Sequence, residues 1–487
     1  MAKDRQELED SEIGAQIRRA AAERHITLLE LGSRLGVSRP TIYAYASGTL
    51  RVPDKRLPKL ATILGKSESY FRPRKAEDLD PSTEAKRALD LIEALLAPPS
   101  PSRALEVALD AAVTAPEAKN PVIRAEFLRR AGNARALAGD HLGALRNLDD
   151  ALVAFEAADH REDAARCSQT LGLCFTALRR LEDAEVCFQR AARDLPIAEQ
   201  WKGRSSLASL AESRGDYETA EQILSELLGD DSLGDMPVAY IRSNFASMTC
   251  ARGFWNSGLS QSESALSAAT EAGLTDQMVE MMISIARCHT HLGQHEEAWN
   301  MHVRAHDVAT SIGDKARAAF NKVAWAQLKV RVSDTKAGKE DALSGIQEAV
   351  QHQFLRTESL GMLVLAEASL EQGQFEEAEV HARQAQGHAA RHHYPVAGLL
   401  ATTHRALAAA AQGRSAEAVA SLNEVEDATA GLGEPKARLY AVRAVCHTLM
   451  GDSLAAAADR RAASETATAC GCIIELPTSI AKILATV

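Results

Sequence analysis

Residues 165–198 read ARCSQTLGLCFTALRRLEDAEVCFQRAARDLPIA, and this stretch decides the fold. Leu171, Gly172 and Phe175 belong to one helix. A short turn follows, and Ala184, Phe188 and Ala191 mark a second helix that closes before Pro196. Small side chains at the crossing point let two helices approach closely, while the larger Leu and Phe fill the space between them. One such pair leaves an apolar face uncovered and therefore requires a neighbour.

The sequence supplies the neighbours. A small marker residue recurs at Ala144, Ala184, Ala220, Gly258, Ala298, Ala342, Ala378, Ala418 and Ala456, in steps of 36 to 44 residues. Gly139, Gly215, Gly253, Gly293, Gly373, Gly413 and Gly451 each stand five residues before a marker, at the turn. That regularity predicts a stack of helix pairs. Residues 165–198 resemble the tetratricopeptide repeat at seven positions: Leu171, Gly172, Phe175, Ala184, Phe188, Ala191 and Pro196. The run from Leu476 to Val487 reads as a capping helix.

Composition narrows the function. The 487 residues carry a net −11, but residues 1–75 hold 15 Lys/Arg against 9 Asp/Glu, which leaves −17 for the other 412. A basic head on an acidic body points to a polyanion met by the head alone. The start, MAKDRQELED, has acids where an export signal needs an apolar run, and no apolar run approaches the ~18 residues of a membrane span. Eight cysteines are too sparse for a disulfide framework, so reduced thiols and a cytoplasmic location are expected.

The head reads as five short helices between Ile13 and Phe71. Thr27 can cap a helix carrying Leu28, Leu31 and Leu35, with Glu30 completing a capping box, and Gly36 ends it. Val37 fills the turn, and Ser38 caps the next helix with Pro40 in its first turn. Thr27 to Gly48, continued through Pro53, Leu57, Leu60, Ala61, Leu64 and Gly65, resembles the Xre/Cro-type helix-turn-helix family over about 60 residues. Departures are Ala46, where the family commonly has Glu or Asn, and Leu28, where it commonly has a polar residue.

The resemblance implies double-stranded DNA as a partner, with the start of the Ser38-capped helix in the major groove. Ser38, Arg39, Thr41 and Tyr43 then face DNA, with Arg39 placed for a bidentate contact to a guanine edge and Ala44 for a thymine methyl. Thr27, Arg51, Lys55 and Arg56 would meet phosphates. The expected fold is thus all-α, an N-terminal helix-turn-helix bundle followed by a right-handed α-solenoid of tetratricopeptide-like helix pairs. The expected divisions are residues 1–75 for DNA, 76–120 as a linker with one or two helices, and 121–487 as about nine repeats plus the cap. Within the linker, Thr83 is a candidate N-cap for an amphipathic helix over Glu84–Ala97, ending at the stiff Pro98–Ser102 joint. That helix must dock on the body or pair with its copy.

Repeats of this length behind an Xre-type head resemble the RRNPP family of bacterial peptide-sensing regulators, named for its Rap, Rgg, NprR, PlcR and PrgX members. The resemblance implies a homodimer whose concave groove takes a short signalling peptide. Groove positions carried onto this sequence are Arg129, Asn133, Arg166, Gln169, Lys202, Tyr240, Ser243, Arg287, Asn321, Trp325 and Glu367. Asn and Gln can bond both edges of an extended peptide backbone, and Arg and Lys can hold carboxylates.

Other chemistry finds little footing. His289, His291, His295, His302 and His306 cluster, but His295-Glu-Glu-Ala-Trp299 has Trp where a zinc-protease pattern needs its second histidine. His388/His392 lacks a third ligand, and Cys470-Gly-Cys472 reads as ordinary thiols. No phosphate-cradling loop or nucleophile elbow is present, so neither an enzyme, a cofactor nor a metal is expected. The alternative function is an adaptor whose solenoid docks a folded protein, with the head tethering it to DNA.

Overall fold

The structure is a computed structural model that describes residues 13–14, 16–18, 20–21, 24, 26–66, 71, 81–96, 101–114, 120–352 and 354–486. The sequence, with Pro73, Asp78, Asp80 and Pro81, suggests a polar break over residues 72–82. Its residues 72–80 lie outside the described residues, and Pro81 and Ser82 open a helix; residues 98–100 of the Pro98–Ser102 joint also lie outside them. Among the described residues every regular element is a helix, and none is long and apolar enough to cross a membrane. The chain divides into two compact units, residues 1–196 and 197–487.

Unit 1 begins with the head. Helical residues between Ile13 and Ala21 precede α1 (Leu28–Leu35), α2 (Arg39–Ser47) and α3 (Leu57–Leu64). Ile13, Ile17, Leu31, Leu35, Ile42, Val52, Leu57, Leu60, Leu64 and Phe71 bury one small core. Leu28 packs half-buried against it, which gives this apolar departure a packing role.

Among the described residues of unit 1, six further helices follow: α4 (Pro81–Leu96), α5 (Pro101–Thr114), α6 (Pro121–Leu137), α7 (His141–Ala157), α8 (Arg161–Ala177) and α9 (Leu181–Asp194). α4 starts at Pro81, so Thr83 lies inside its first turn. α4 also does not stand alone. Its Ala85, Ile92 and Leu95 bury with Ala104, Ala108 and Ala111 of α5 and with Phe127, Ala131 and Ala134 of α6. Glu93 pairs with Arg130. The α4 face is thus covered by its own chain, as one more helix pair on the stack.

Unit 2 holds α10 (Gln200–Arg214), α11 (Tyr217–Leu228), α12 (Asp235–Ala251), α13 (Trp255–Glu271), α14 (Thr275–His291) and α15 (His295–Ile312). It continues through α16 (Lys315–Arg331), α17 (Thr335–His352), α18 (Leu355–Glu371), α19 (Phe375–His392), α20 (Pro395–Ala411) and α21 (Ser415–Asn423). α22 (Glu434–Leu449), α23 (Ser453–Cys470) and α24 (Thr478–Leu484) end it. First helices of successive pairs touch one another, from α10–α12 to α20–α22, and so form the inner layer.

The small markers sit at the fourth residue of each second helix and are buried, as close crossing demands. One needs correction. In α17 that position is Gly338, not Ala342, which lies one turn further on. A Cβ on Gly338 would meet the Ala326 carbonyl oxygen at 2.8 Å. The turn five residues earlier is Ser333, with φ +68, and Arg179 takes the same left-handed position before Ala184, with φ +59. Of the turns five residues before a marker, these two lack glycine; Asp159 and His393 take left-handed positions in turns between pairs.

Unit 2 also winds back on itself. The Gly433 N–H donates to the Arg252 carbonyl oxygen at 2.8 Å, and the Glu434 N–H to that of Gly253 at 3.1 Å. Arg252 Nε donates to the Gly431 carbonyl oxygen at 2.9 Å. After α23 the chain crosses to the inner layer, where the Ile473 N–H donates to the His291 carbonyl oxygen at 3.2 Å. The Glu371 carboxylate accepts from the Thr478 N–H at 3.0 Å, at the start of α24. Ile480 is buried among Leu370, Leu407 and Val442. Thus α24 lies across the inner helices α18 and α22.

Candidate DNA-recognition helix and ligand cavity

The helix pair α1–α2 is fixed by its caps. The Thr27 hydroxyl oxygen accepts from the Glu30 N–H at 3.2 Å, and Gly36 ends α1 in the left-handed region at φ +75. The Ser38 hydroxyl oxygen accepts from the Thr41 N–H at 3.4 Å, and the two hydroxyls bond each other at 2.7 Å. Thr27 and Ser38 thus close helix ends, which leaves their hydroxyls partly committed.

α2 is braced from behind. Ile42, Tyr45 and Ala46 face the core, and Arg18 donates to the Ala46 carbonyl oxygen. A Cβ on Gly14 would come within 2.8 Å of Tyr45 O, Ala46 O and Gly48 N, so only glycine lets the first helix approach this end of α2. The opposite edge is open: Ser38 and Arg39 are exposed, and Thr41, Tyr43 and Ala44 are half-buried. The Arg39 guanidinium lies 5.9 Å from the Tyr43 ring centre. Arg51 and Lys55 are exposed, Arg51 standing 3.8 Å from Asp54. Arg56 donates to the Tyr45 hydroxyl at 3.1 Å, which makes it a brace of α2.

The groove candidates fall in both units. In unit 1, buried Arg129 makes two bonds to Glu126, at 2.7 and 2.5 Å. Asn133 accepts from the Thr170 hydroxyl at 2.9 Å, Arg166 bonds Asp163 at 2.8 Å, and Gln169 is half-buried on the same helix. In unit 2, Lys202 bonds Glu199 at 2.9 Å, and the Tyr240 ring lies 5.8 Å from that of Trp201. Ser243 is buried and donates to the Ala239 carbonyl oxygen. Asn321 is fully buried, bonding His302 Nδ1 at 2.7 Å and its carbonyl oxygen at 2.9 Å. Trp325 packs edge-on to Trp299 at 4.9 Å. Ser243 therefore serves its own helix, and Asn321 ties α16 to α15.

Arg287 and Glu367 come together inside unit 2. A cavity of about 70 Å³ is lined by Arg287, Trp255, His291, Gln327, Glu367 and His404, with Glu434 and Arg438 on its wall. A larger one of about 540 Å³ shares Glu367, His404 and Arg438 with it and is bordered by Arg331, Glu371 and the 474–478 crossing. Repetition explains the gathering. Arg287, Gln327 and Glu367 are the thirteenth residues of α14, α16 and α18, and His291, Arg331 and Glu371 are the last. The recurrence at 40 residues is the sequence signal by which Gln327 and Arg331 were findable.

Charges here are largely paired. Arg438 bonds Glu434 at 2.8 Å, Arg331 lies 3.5 Å from Glu367, and Gln327 donates to Glu367 at 3.0 Å. Burial works to raise the Glu367 carboxyl, but Arg331 and Arg438 outweigh it and hold the group below its ordinary range. The His291 ring stacks on Trp255 at 3.9 Å, and burial, with Arg331 and Arg287 nearby, pushes its pKa well down. Burial and Arg438 likewise push His404 down to about 4. Both rings are neutral at physiological pH.

Elsewhere, His302 is bound up with Asn321, and His289 bonds Gln294 at 2.6 Å. Among the described residues no three His, Cys, Asp or Glu side chains converge as a metal would need. The eight cysteines are free thiols, with Cys250–Cys288 sulfurs 3.4 Å apart and Cys470–Cys472 sulfurs 3.2 Å apart.

Comparison with known proteins agrees with this architecture. Residues 17–71 match the helix-turn-helix family. No curated protein sequence is similar to the chain. Among solved structures, the Rap protein complexed with competence and sporulation factor has a TM-score of 0.54 at 13% identity, covering 74% of this chain and 98% of that one. NprR in complex with its cognate peptide NprX has a TM-score of 0.48 at 13% identity, covering 62% and 89%. Bacillus thuringiensis PlcR with peptide and DNA has a TM-score of 0.33 at 11% identity, covering 62% and 96%. At these identities the Rap likeness is one of fold. The N-terminal domain of this chain is a helix-turn-helix of the Xre type, joined to a helical-repeat body similar in fold to Rap.

Proposed function

We propose that this protein is a cytoplasmic, sequence-specific DNA-binding transcription regulator that acts as a homodimer and senses a short peptide through its repeat body. The observation that carries the DNA reading is the open edge of α2, with Arg39 exposed on a helix braced from behind inside a helix-turn-helix domain. The contact set is Ser38, Arg39, Thr41, Tyr43 and Ala44 in the groove, with Thr27, Arg51, Lys55 and Arg56 on phosphates, Arg56 also bracing α2 through Tyr45. Support for a ligand is the pair of adjoining cavities between the inner helices of unit 2, which share Glu367, His404 and Arg438 on their walls. The fold of the Rap complex is consistent with this use. A ligand acts by favouring one arrangement of the two heads; equal affinity for both would shift nothing.

The test is selection of genomic fragments by the purified full-length protein, with and without an extract of spent culture medium. A recovered palindrome whose binding shifts with a small, protease-sensitive factor is the expected result. A palindrome indifferent to the extract would remove the peptide, and no sequence preference would favour the adaptor.

A further inference from the structure

The side chain that stands out in unit 2 is Arg287. Among the described residues its guanidinium has no hydrogen-bond or ion-pair partner, and its Nε is buried without an acceptor. It lies 5.5 Å from the Trp255 ring centre and 5.8 Å from that of Phe320. The carboxylates of this region are taken. Glu280 is shared by Arg317 at 3.1 Å and Arg356 at 3.5 Å, Glu434 belongs to Arg438, and Glu367 to Arg331. His291 and His404 are neutral and supply no negative charge. Arg287 as a whole is half-buried, but its Nε is shut off from water without an acceptor; an unpaired charge so placed is costly, and two aromatic rings compensate it only in part.

We infer that Arg287 is the anchor of an oxyanion site, with Trp255 and Phe320 as its walls and an anionic end group of the ligand, carboxylate or phosphate, as its occupant. Arginine's planar fork matches both groups. The adjoining cavity of about 70 Å³ holds about two water-sized volumes, which suits the end of a ligand and not its length. The larger cavity shares Glu367, His404 and Arg438 with it and provides room for the remainder. This inference rests on the sensing role proposed for unit 2 and names the chemistry of what is sensed.

The test is thermal unfolding of the full-length protein at constant ionic strength in chloride, with inorganic phosphate or succinate titrated in. One of the two anions should raise the midpoint saturably, and which one does so tells phosphate from carboxylate. Arg287→Met should abolish that response while unfolding in chloride at or above the wild-type temperature, because it removes an unpaired charge. Arg287→Lys, which keeps charge but loses the fork, should weaken anion affinity at least tenfold. The site is overturned if neither anion stabilises the wild type, if Arg287→Met responds equally, or if that variant is much less stable in chloride. DNA binding separates the two readings. A medium factor acting equally on wild type and Arg287→Met would leave sensing and remove the anion site. Anion binding through Arg287 with no medium factor altering DNA binding would do the reverse.

Discussion

Arg39 and Gly172 illustrate how differently single residues are exposed to substitution. Arg39 is exposed and, among the described residues, takes no part in the core and touches only the Tyr43 ring, so Arg39→Ala should leave the unfolding midpoint nearly unchanged. It should cost about 1–3 kcal/mol at the preferred site and relax preference at one base position, as read by binding to a panel of operator variants. Arg51→Ala should weaken all sequences alike and lower the salt dependence of binding by about one phosphate contact. Gly172 is the opposite case: a Cβ there would stand 2.4 Å from Phe188 Cε1. Gly172→Ala should therefore destabilise by about 1–3 kcal/mol in urea titration. The histidines set a pH response. Burial holds His302 and His404 near 4, below the ordinary value of 6.5, so the unfolded chain binds more protons between those limits. Glu212, raised by burial to about 7, acts in the opposite sense. The histidines outnumber it, so the urea midpoint should fall as pH drops from about 6.5 to 4, and His302→Gln should flatten part of that slope.

At the scale of elements, the repeat register decides which turns carry strain. Ser333 occupies a left-handed turn position held by glycine in seven other pairs. Ser333→Gly should raise stability by up to about 1 kcal/mol, whereas the same change at Ala342 should lower it, because Ala342 is an interior helical position. The segment after α23 is a second case. A cap would have covered only the last pair, but α24 lies on the inner helices, with Ile480 almost wholly buried. Ile480→Ala should cost about 2 kcal/mol or more, the usual penalty for an emptied aliphatic site.

The whole molecule adds what no single repeat contains. In unit 2 the backbone bonds from Gly433 and Glu434 to Arg252 and Gly253 join segments about 180 residues apart in sequence, and Ile473 reaches His291 similarly. An open stack would leave those amides in water. Hydrogen exchange should find them protected to the level of the neighbouring inner helices; rapid exchange would show that unit 2 does not close on itself. The charge division between head and body belongs to this scale as well, since it favours a polyanion at the head and repels it from the rest.

The alternation of glycine turns and small markers was sufficient to read helix pairs, because close helix crossings and left-handed turns each admit few residue types. The capped pair Thr27–Gly36 and Ser38–Gly48 was legible for the same reason: caps are local, and their chemistry is written within three or four residues. The marker in α17 was misplaced because Ala342 and Gly338 are both small and lie one turn apart, and only packing against Ala326 and Val330 distinguishes them. Tertiary structure alone decided that α4 docks on its own chain, that α24 lies across inner helices, and that, among the described residues, Arg287 stands without a carboxylate partner. Each depends on which side chains distant segments bring together. Local periodicity determines that a face is apolar or charged, but the partner of that face is set only when the chain winds back to meet it.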